Sequence, residues 1–413
     1  MKKLLASLLV VVMVLSLVFV FVGCDSDALK KLTYTDANGN EQSINIKKTS
    51  DADQVTASIM ALANKEVDTT SLSNLLVSLT ASGSVSGTQN DIAFTDNVSA
   101  NITLGAAFPA DVTDKKLSEL LAGSQLYANA SVSGKLPKNL FADEEDKVLT
   151  FNDTMDINES ATLYVDQGVI YAKGQLSETT KTALADYSSL IEKIDGKYGK
   201  YDASAMLSMI DLAVGGNDAS KQYVATGASV LRDSKNSYVK VVTKIADLLD
   251  KDDDDDDDSE ATAEETAEPE FEFTYSNVKT IVQALNIKIT KTKGSKVTFT
   301  ADINKDSIKA LNAAFGDAED PDENIDEDYD GNVHLELVLD AKTMLDCTLT
   351  ATANKIAEYI ADEDDFPGIT FTDSSVSLTL SISTAAIPTI SQADADSATE
   401  IGLADITSLM SLM

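Results

Sequence analysis

The chain has no tryptophan, one histidine, two cysteines and six prolines in 413 residues, and its 32 basic side chains face 68 acidic ones. Each shortage closes off a class of function. A formal charge of −36 opposes the cationic neutralisation of phosphates on which nucleic-acid binding rests. It equally opposes adsorption to anionic lipid heads or phosphate-rich wall polymers. The single histidine, His334, has no partner of its kind for a zinc site or a histidine acid/base pair. It faces away from Val333, Leu335 and Leu337 on an alternating run, beside Glu336, as a surface histidine does. No phosphate loop and no dinucleotide glycine fingerprint is present. Gly83-Ser84-Val85-Ser86-Gly87 has its serines out of phase with a nucleophile elbow. Ser237/Lys240 and Ser276/Lys279 match Ser-x-x-Lys but lack the Ser-Asp-Asn and Lys-Thr-Gly partners of that enzyme class. No pair of carboxylates stands out among so many, and the chain is expected not to be an enzyme.

What is present begins at the N-terminus. Lys2 and Lys3 precede an almost wholly apolar run from Leu4 to Val22, about 19 residues, long enough to cross a hydrocarbon core. The two lysines orient it so that everything downstream is translocated. The run ends Phe21-Val22-Gly23-Cys24, which resembles the lipobox of bacterial lipoprotein signal peptides, with Phe21 where an aliphatic residue is usual. The resemblance implies cleavage before Cys24, a diacylglyceryl group on its sulfur, and a membrane partner held through that lipid. Two acyl chains anchor far more durably than one. Asp25 would favour inner-membrane retention in a two-membrane bacterium, as that family implies.

Without Lys2 and Lys3 the balance is 68 acidic to 30 basic side chains, or −38. With Cys24 a thioether, Cys347 is the sole thiol and no internal disulfide forms. Stability then rests on burial, for which a chain of this length has enough apolar material. Leu345, Cys347, Leu349 and Ala351 alternate with polar residues, so Cys347 is expected as a small core hydrophobe on a strand.

Five segments follow: leader 1–23, polar stalk 24–49, helix-strand-helix half 50–249, acidic linker 250–270, and a second half 271–413 sharing one sheet with the first. The stalk has one tight turn at Asp36-Ala37-Asn38-Gly39. Ser50 is positioned to cap a helix to about Asn64, and Leu72 to Leu79 is read as a second. From Ala81 the period becomes two. Val98, Ala100, Ile102 and Leu104 form one apolar face, and Leu126, Ala128, Ala130 and Val132 another. Asp166-Gln167-Gly168 turns a hairpin. Connections this short demand antiparallel pairing. Ser177 is read as the cap of a helix carrying Leu184, Tyr187, Ile191 and Ile194, followed by helices near 203–212 and 238–248.

Asp252 to Asp258 are seven consecutive aspartates, and the Glu/Ala/Thr mixture to Glu270 has no apolar face, so 250–270 is expected to be disordered. Beyond it, Phe271, Phe273 and Tyr275 read as one strand face, Lys293-Gly294 as a hairpin turn, and Asp306 to Phe315 as a helix. Val333–Asp340 is expected to pair with Leu345–Thr352, and 391–413 to end in a capping helix. Helices gathered between blocks of strands mean α+β with a large antiparallel sheet. In style, through segments such as Thr162 to Tyr171 and Val338 to Thr343, the chain resembles the half-barrel of periplasmic lipoprotein carriers. That resemblance implies a curved sheet with helices packed on its concave face.

Asp326, Asp328, Asp330 and Gly331 match the first half of a calcium loop, but position twelve is Leu337 instead of a bidentate Glu. Calcium is expected to bind weakly or not at all, and an acidic turn into the Val333 strand explains the pattern as well. Lys279, Lys288, Lys291, Lys293 and Lys296 occur without an acid between Tyr275 and Ala301. They are read as a solvated hairpin edge, the alternatives being pairing with the acidic linker just upstream or a cationic patch for an anionic partner. The sequence thus points to a non-enzymatic lipoprotein of the cell membrane, facing outside the cytoplasm and binding or carrying a lipid or other amphiphile. The alternative is a structural or adhesive surface lipoprotein without a small ligand, and a carboxylate hydrolase comes third.

Overall fold

The computed structural model describes residues 28–65, 73–109, 114–139, 150–183, 185–203, 209, 211, 213–222, 224, 273–315, 331–344, 346–357 and 368–402. In chain order its elements are β1 (Leu32–Thr35), β2 (Glu41–Ile44), α1 (Ala52–Ala63), β3 (Asn74–Gln89), β4 (Ile92–Ala107), α2 (Leu117–Ala122) and β5 (Gln125–Pro137). Then come β6 (Thr154–Asp166), β7 (Val169–Gln175), α3 (Glu178–Ala183), α4 (Ser188–Ile194) and β8 (Gly199–Asp202). The remainder is α5 (Tyr275–Ala284), β9 (Lys288–Lys293), β10 (Lys296–Ile303), α6 (Lys305–Phe315), β11 (Val333–Asp340), β12 (Cys347–Asn354), β13 (Ile369–Ser383), α7 (Gln392–Ser397) and β14 (Thr399–Glu400).

The fold is α+β, dominated by a sheet of 12 strands in the order β14-β8-β7-β6-β5-β4-β3-β13-β12-β11-β10-β9, beside the separate hairpin β1-β2. The order has two ends, so the sheet is open. By contacts the chain divides into two compact units, one of residues 1–69, 234–330 and 334–349, the other of 70–233, 331–333 and 350–413.

The first unit is built on a helix buried on every side after its first turn. Val55 to Ala63 of α1 are all buried, and Asp51 caps the helix by accepting from Gln54 N at 2.9 Å. The cap therefore falls one residue after Ser50, because the Asp51 carboxylate reaches the free N–H of the first turn. Residues 28–49, expected as a stalk, carry the β1/β2 hairpin, with Ala28, Leu29 and Ile46 buried. Phe299, Leu335, Leu339 and Met344 are at most 2% exposed and fill the core. Inside and outside residues alternate along β11.

Tyr275 overturns one expectation. Phe271 lies outside the described residues, and Tyr275 opens helix α5 instead of lining a strand. Thr274 accepts from Asn277 N and caps that helix, and the Tyr275 ring stacks on Tyr34 at 6.0 Å. The cap signal outweighed the two-residue aromatic spacing.

The second unit is a meander of long strands: β3 and β4 have 16 residues each, β13 has 15, and β5 and β6 have 13. From β13 through β3 to β8 its strands pair antiparallel, and β14 pairs with β8 in parallel. Leu75 to Leu79, read as helical, lie in β3 and pair with Ala106 to Ile102 of β4. A long ladder outweighs a short apolar run whose periodicity is ambiguous. The single helix expected after Ser177 is broken into α3, a 3-10 turn at Ala185–Tyr187, and α4. α4 stops before Gly196 (φ +70), and strand β8, not anticipated from sequence, follows between β7 and β14. Of the tail helix, only Gln392–Ser397 is helical among the described residues. The chain then enters β14.

Candidate functional site

Register divides the second unit's sheet into two chemically opposite faces. On one, Leu79, Ile102, Ala130 and Ala161 lie in line across β3 to β6, as do Val77, Leu104, Ala128 and Leu163. Leu378 and Val376 of β13 extend this face beside Ala81 and Gly83. On the other stand serine, threonine and asparagine. Ser78 Oγ meets Thr103 Oγ1 at 3.0 Å, Asn101 donates to Thr80 Oγ1 at 2.8 Å, and Asn129 donates to Thr162 Oγ1 at 2.9 Å. Such cross-strand hydroxyl and amide pairs stabilise a solvated face.

The apolar face is the one left uncovered. Eight large apolar side chains are exposed among the described residues, and by register seven belong to this face: Ile92 at the β3–β4 turn, and Leu79, Ile102, Leu104, Leu163, Val376 and Leu378 along the strands. Leu104 is 55% exposed and Ile102 49%. Among the described residues, cover is seen at β8, where side-chain atoms of Ile194 and Ile401 lie so close to Gly199 that a Cβ there would meet them at 3.0 Å or less. A contiguous apolar surface with no cover is the feature that marks interaction sites on soluble domains.

Burial changes faces along β4. Near the β3–β4 turn the apolar side is covered. Phe94 stacks on Phe151 at 4.6 Å and meets Phe371 edge-on at 6.2 Å, and Phe94 and Asp96 are both buried. At the far end Ile102 and Leu104 are open, while the polar side is closed over Gly105 by Ile387 and Leu76.

Asp96 stands at this changeover. It is 6% exposed, and its Oδ2 atom is buried with no hydrogen-bond partner. Burial pushes its carboxyl above the usual range, and the charge of Lys135 works the other way. By register Lys135 belongs to the polar face, opposite Asp156. Beside Asp96 the β4–β5 ladder ends at Val98 and Gly134, although β5 and β6 stay paired to Pro137 and Thr154. Gly134 has φ +139, and a Cβ there would lie 2.1 Å from Asn97 O, so only glycine permits this close approach before the strands part. On the opposite, polar face a depression of about 380 Å³ lies at the same level, lined by Asn97, Ser133 and serines of β3, β4 and β13, and Asp96 is not part of it.

Two other carboxylates in the unit are satisfied. Glu159 accepts from Ser177 and Thr180 hydroxyls. Burial raises its carboxyl and those donors more than offset that, leaving it below the usual range. Asp211 is held low by the Ser118 and Ser220 hydroxyls, each at 2.6 Å, and by Ser118 N. These arrangements tie α3 and α2 in place.

Of the residues singled out from sequence, Cys24, Asp326, Asp328, Asp330 and the acidic linker lie outside the described residues. Among the described residues there is no group of three or more potential metal ligands, and no helix is long and apolar enough to cross a membrane. His334 is a surface residue whose Nδ1 lies 2.7 Å from Asp302 Oδ1. Cys347 is half-buried at the start of β12, not a sealed core residue, because the strand begins there. Lys291, Lys293 and Lys296 are exposed on the β9–β10 hairpin at one end of the strand order, and Lys279 pairs with Asp53 at 2.6 Å. Tyr275, read from sequence as part of a strand face, belongs to a helix of the first unit. The uncovered surface lies instead on strands whose apolar faces were legible in sequence, but Asp96 was not. Its alternation with Phe94 and Val98 was the available signal. No protein-family model matches the chain, and no curated protein does.

Proposed function

We propose that this chain is a non-enzymatic envelope lipoprotein, anchored to a membrane through a lipid on Cys24, whose sheet binds an amphiphile on its apolar face. The observation that carries the reading is the run of exposed Leu79, Ile102, Leu104, Leu163, Val376 and Leu378 on one face of long strands. Leaving such side chains about half exposed forgoes roughly 1 kcal/mol for each. An apolar ligand would recover that stabilisation. A curved, half-barrel form of the sheet with helices over part of its concave side would suit this task, as the carrier-like style of the sequence implies. The Gly23-Cys24 junction after an apolar leader supports the anchor, and the strong negative charge keeps the chain off anionic surfaces to which its lipid holds it.

The test is mild extraction of the full chain from its membrane, followed by solvent extraction and mass spectrometry of both fractions. The protein is expected to lack residues 1–23, to carry a diacylglyceryl mass on Cys24, and to release a second lipid in stoichiometric amount. An unmodified Cys24 in a full-length chain would refute the anchor. A correctly lipidated chain that releases nothing would leave the structural or adhesive alternative.

A further inference from the structure

The apolar stripe ends on Asp96, and that ending constrains the head of the ligand. Along β4, Leu104 and Asp96 lie on the same face eight residues apart, about 27 Å in an extended strand, with Ile102, Ala100 and Val98 between them. Beyond Asp96 the Phe94, Phe151 and Phe371 rings close the face. A tail lying on the stripe with its head toward the turn is therefore stopped at the carboxyl. Oδ2 is sealed from solvent without a donor, a condition that costs free energy until a donor arrives. The β4–β5 ladder parts beside it at Val98 and Gly134, which frees the strand edge next to the carboxyl.

We infer that the bound amphiphile is a lipid whose head carries a protonated amine and no net negative charge, with that amine received by Asp96 and the tail lying over Ile102 and Leu104. This rests on the amphiphile-binding reading above and deepens it. A carboxylate or phosphate head would meet an acidic side chain in a chain of charge −36. A hydroxyl head would supply a hydrogen bond but no opposite charge. An ammonium supplies both, and charge-assisted bonds are roughly twice as strong as neutral ones.

The experiment uses the full chain in phosphatidylcholine vesicles doped with photoactivatable probes of equal chain length: an alkylamine, the alcohol and the fatty acid. Labelled peptides are mapped by mass spectrometry. For the native chain, the amine is expected to label β3, β4 and β13 at least fivefold more than the alcohol, and the acid least. Asp96→Asn should bring amine labelling down to that of the alcohol while leaving the alcohol unchanged. Ile102→Ser should weaken the amine and alcohol alike, and thermal melting of both variants checks that they are folded. Equal labelling by amine and alcohol, or full amine labelling in folded Asp96→Asn, would overturn the head assignment and leave amphiphile binding standing. No labelling by any probe would remove both, and protection of the stripe in a dimer would assign the face to a second copy of the chain.

Discussion

The two units use the same alternating strand pattern and bury it differently. In the first, β10 and β11 are short and their apolar faces are closed, with Val297 and Leu339 at 0% exposure. In the second, strands of up to 16 residues carry an equally regular apolar face that stays largely open. Alternation specifies which side chains share a face, and it does so in both units. Whether that face is sealed depends on what packs on it. Helix α1, whose residues from Val55 on are all buried, belongs to the closed unit. In the open unit, by contrast, the cover seen among the described residues is that of Ile194 of α4 over Gly199 of β8. The difference separates a unit built to be stable from one that keeps apolar surface available.

The sharpest way to break this comparison is to hollow the closed core. Phe299 is 2% exposed on β10, and Phe299→Ala would remove most of a buried ring at a cost of about 3–5 kcal/mol. Chemical denaturation should show the first unit unfolding at much lower denaturant. A loss below about 1 kcal/mol would mean that its interior is as loosely packed as the second unit's face.

Much of this contrast was legible in the residues. Val98 to Leu104 and Leu126 to Val132 announced strand faces, and Asp166-Gln167-Gly168 announced its hairpin, with Gln167 and Gly168 both at positive φ. The α+β class followed. The misread segments share a cause. Leu75 to Leu79 form a short apolar run that fits helix or strand, and only pairing with Ala106 to Ile102 decides between them. Tyr275 was placed by a local cap at Thr274 that the aromatic spacing masked. The site was half legible: Ile102 and Leu104 were identified as one apolar face, but that face was expected to be buried. Cover is a property of distant segments, and residue periodicity carries no record of it. Asp96 escaped notice because one acid among 68 is unremarkable until its surroundings are known.

A smaller effect is expected at the boundary between covered and open parts of β4. Burial raises the Asp96 carboxyl above its ordinary 3.8, against the opposing charge of Lys135. The folded chain therefore holds this proton more tightly than the unfolded one, so the ionised group lowers stability at neutral pH. That cost diminishes as pH falls through the raised folded value and is gone below the unfolded value. Asp96→Asn should accordingly stabilise the second unit at pH 7 by about 1 kcal/mol, and the gain should vanish near pH 3. Thermal melts across this range check it. A variant less stable than the native chain at pH 7 would show that Asp96 is satisfied in the folded state.

The smallest change in stability is expected where the substitution looks most drastic. Replacing two large apolar strand residues by serine, Ile102→Ser with Leu104→Ser, would ordinarily cost several kcal/mol if the face were closed. Both side chains are about half exposed, so serine gives up little burial. Each also keeps a β-strand neighbour on either side, Leu79 and Ala130 for Ile102, Val77 and Ala128 for Leu104. The expected shift in unfolding free energy is within about 0.5 kcal/mol, measured by denaturant melts without ligand. Capture of an amphiphile by the same variant should fall steeply, because the tail loses the middle of its contact surface. A stable variant that no longer binds would establish that the open face exists for the ligand. A variant that unfolds would show that something in the folded chain covers the stripe and that the second unit is closed after all.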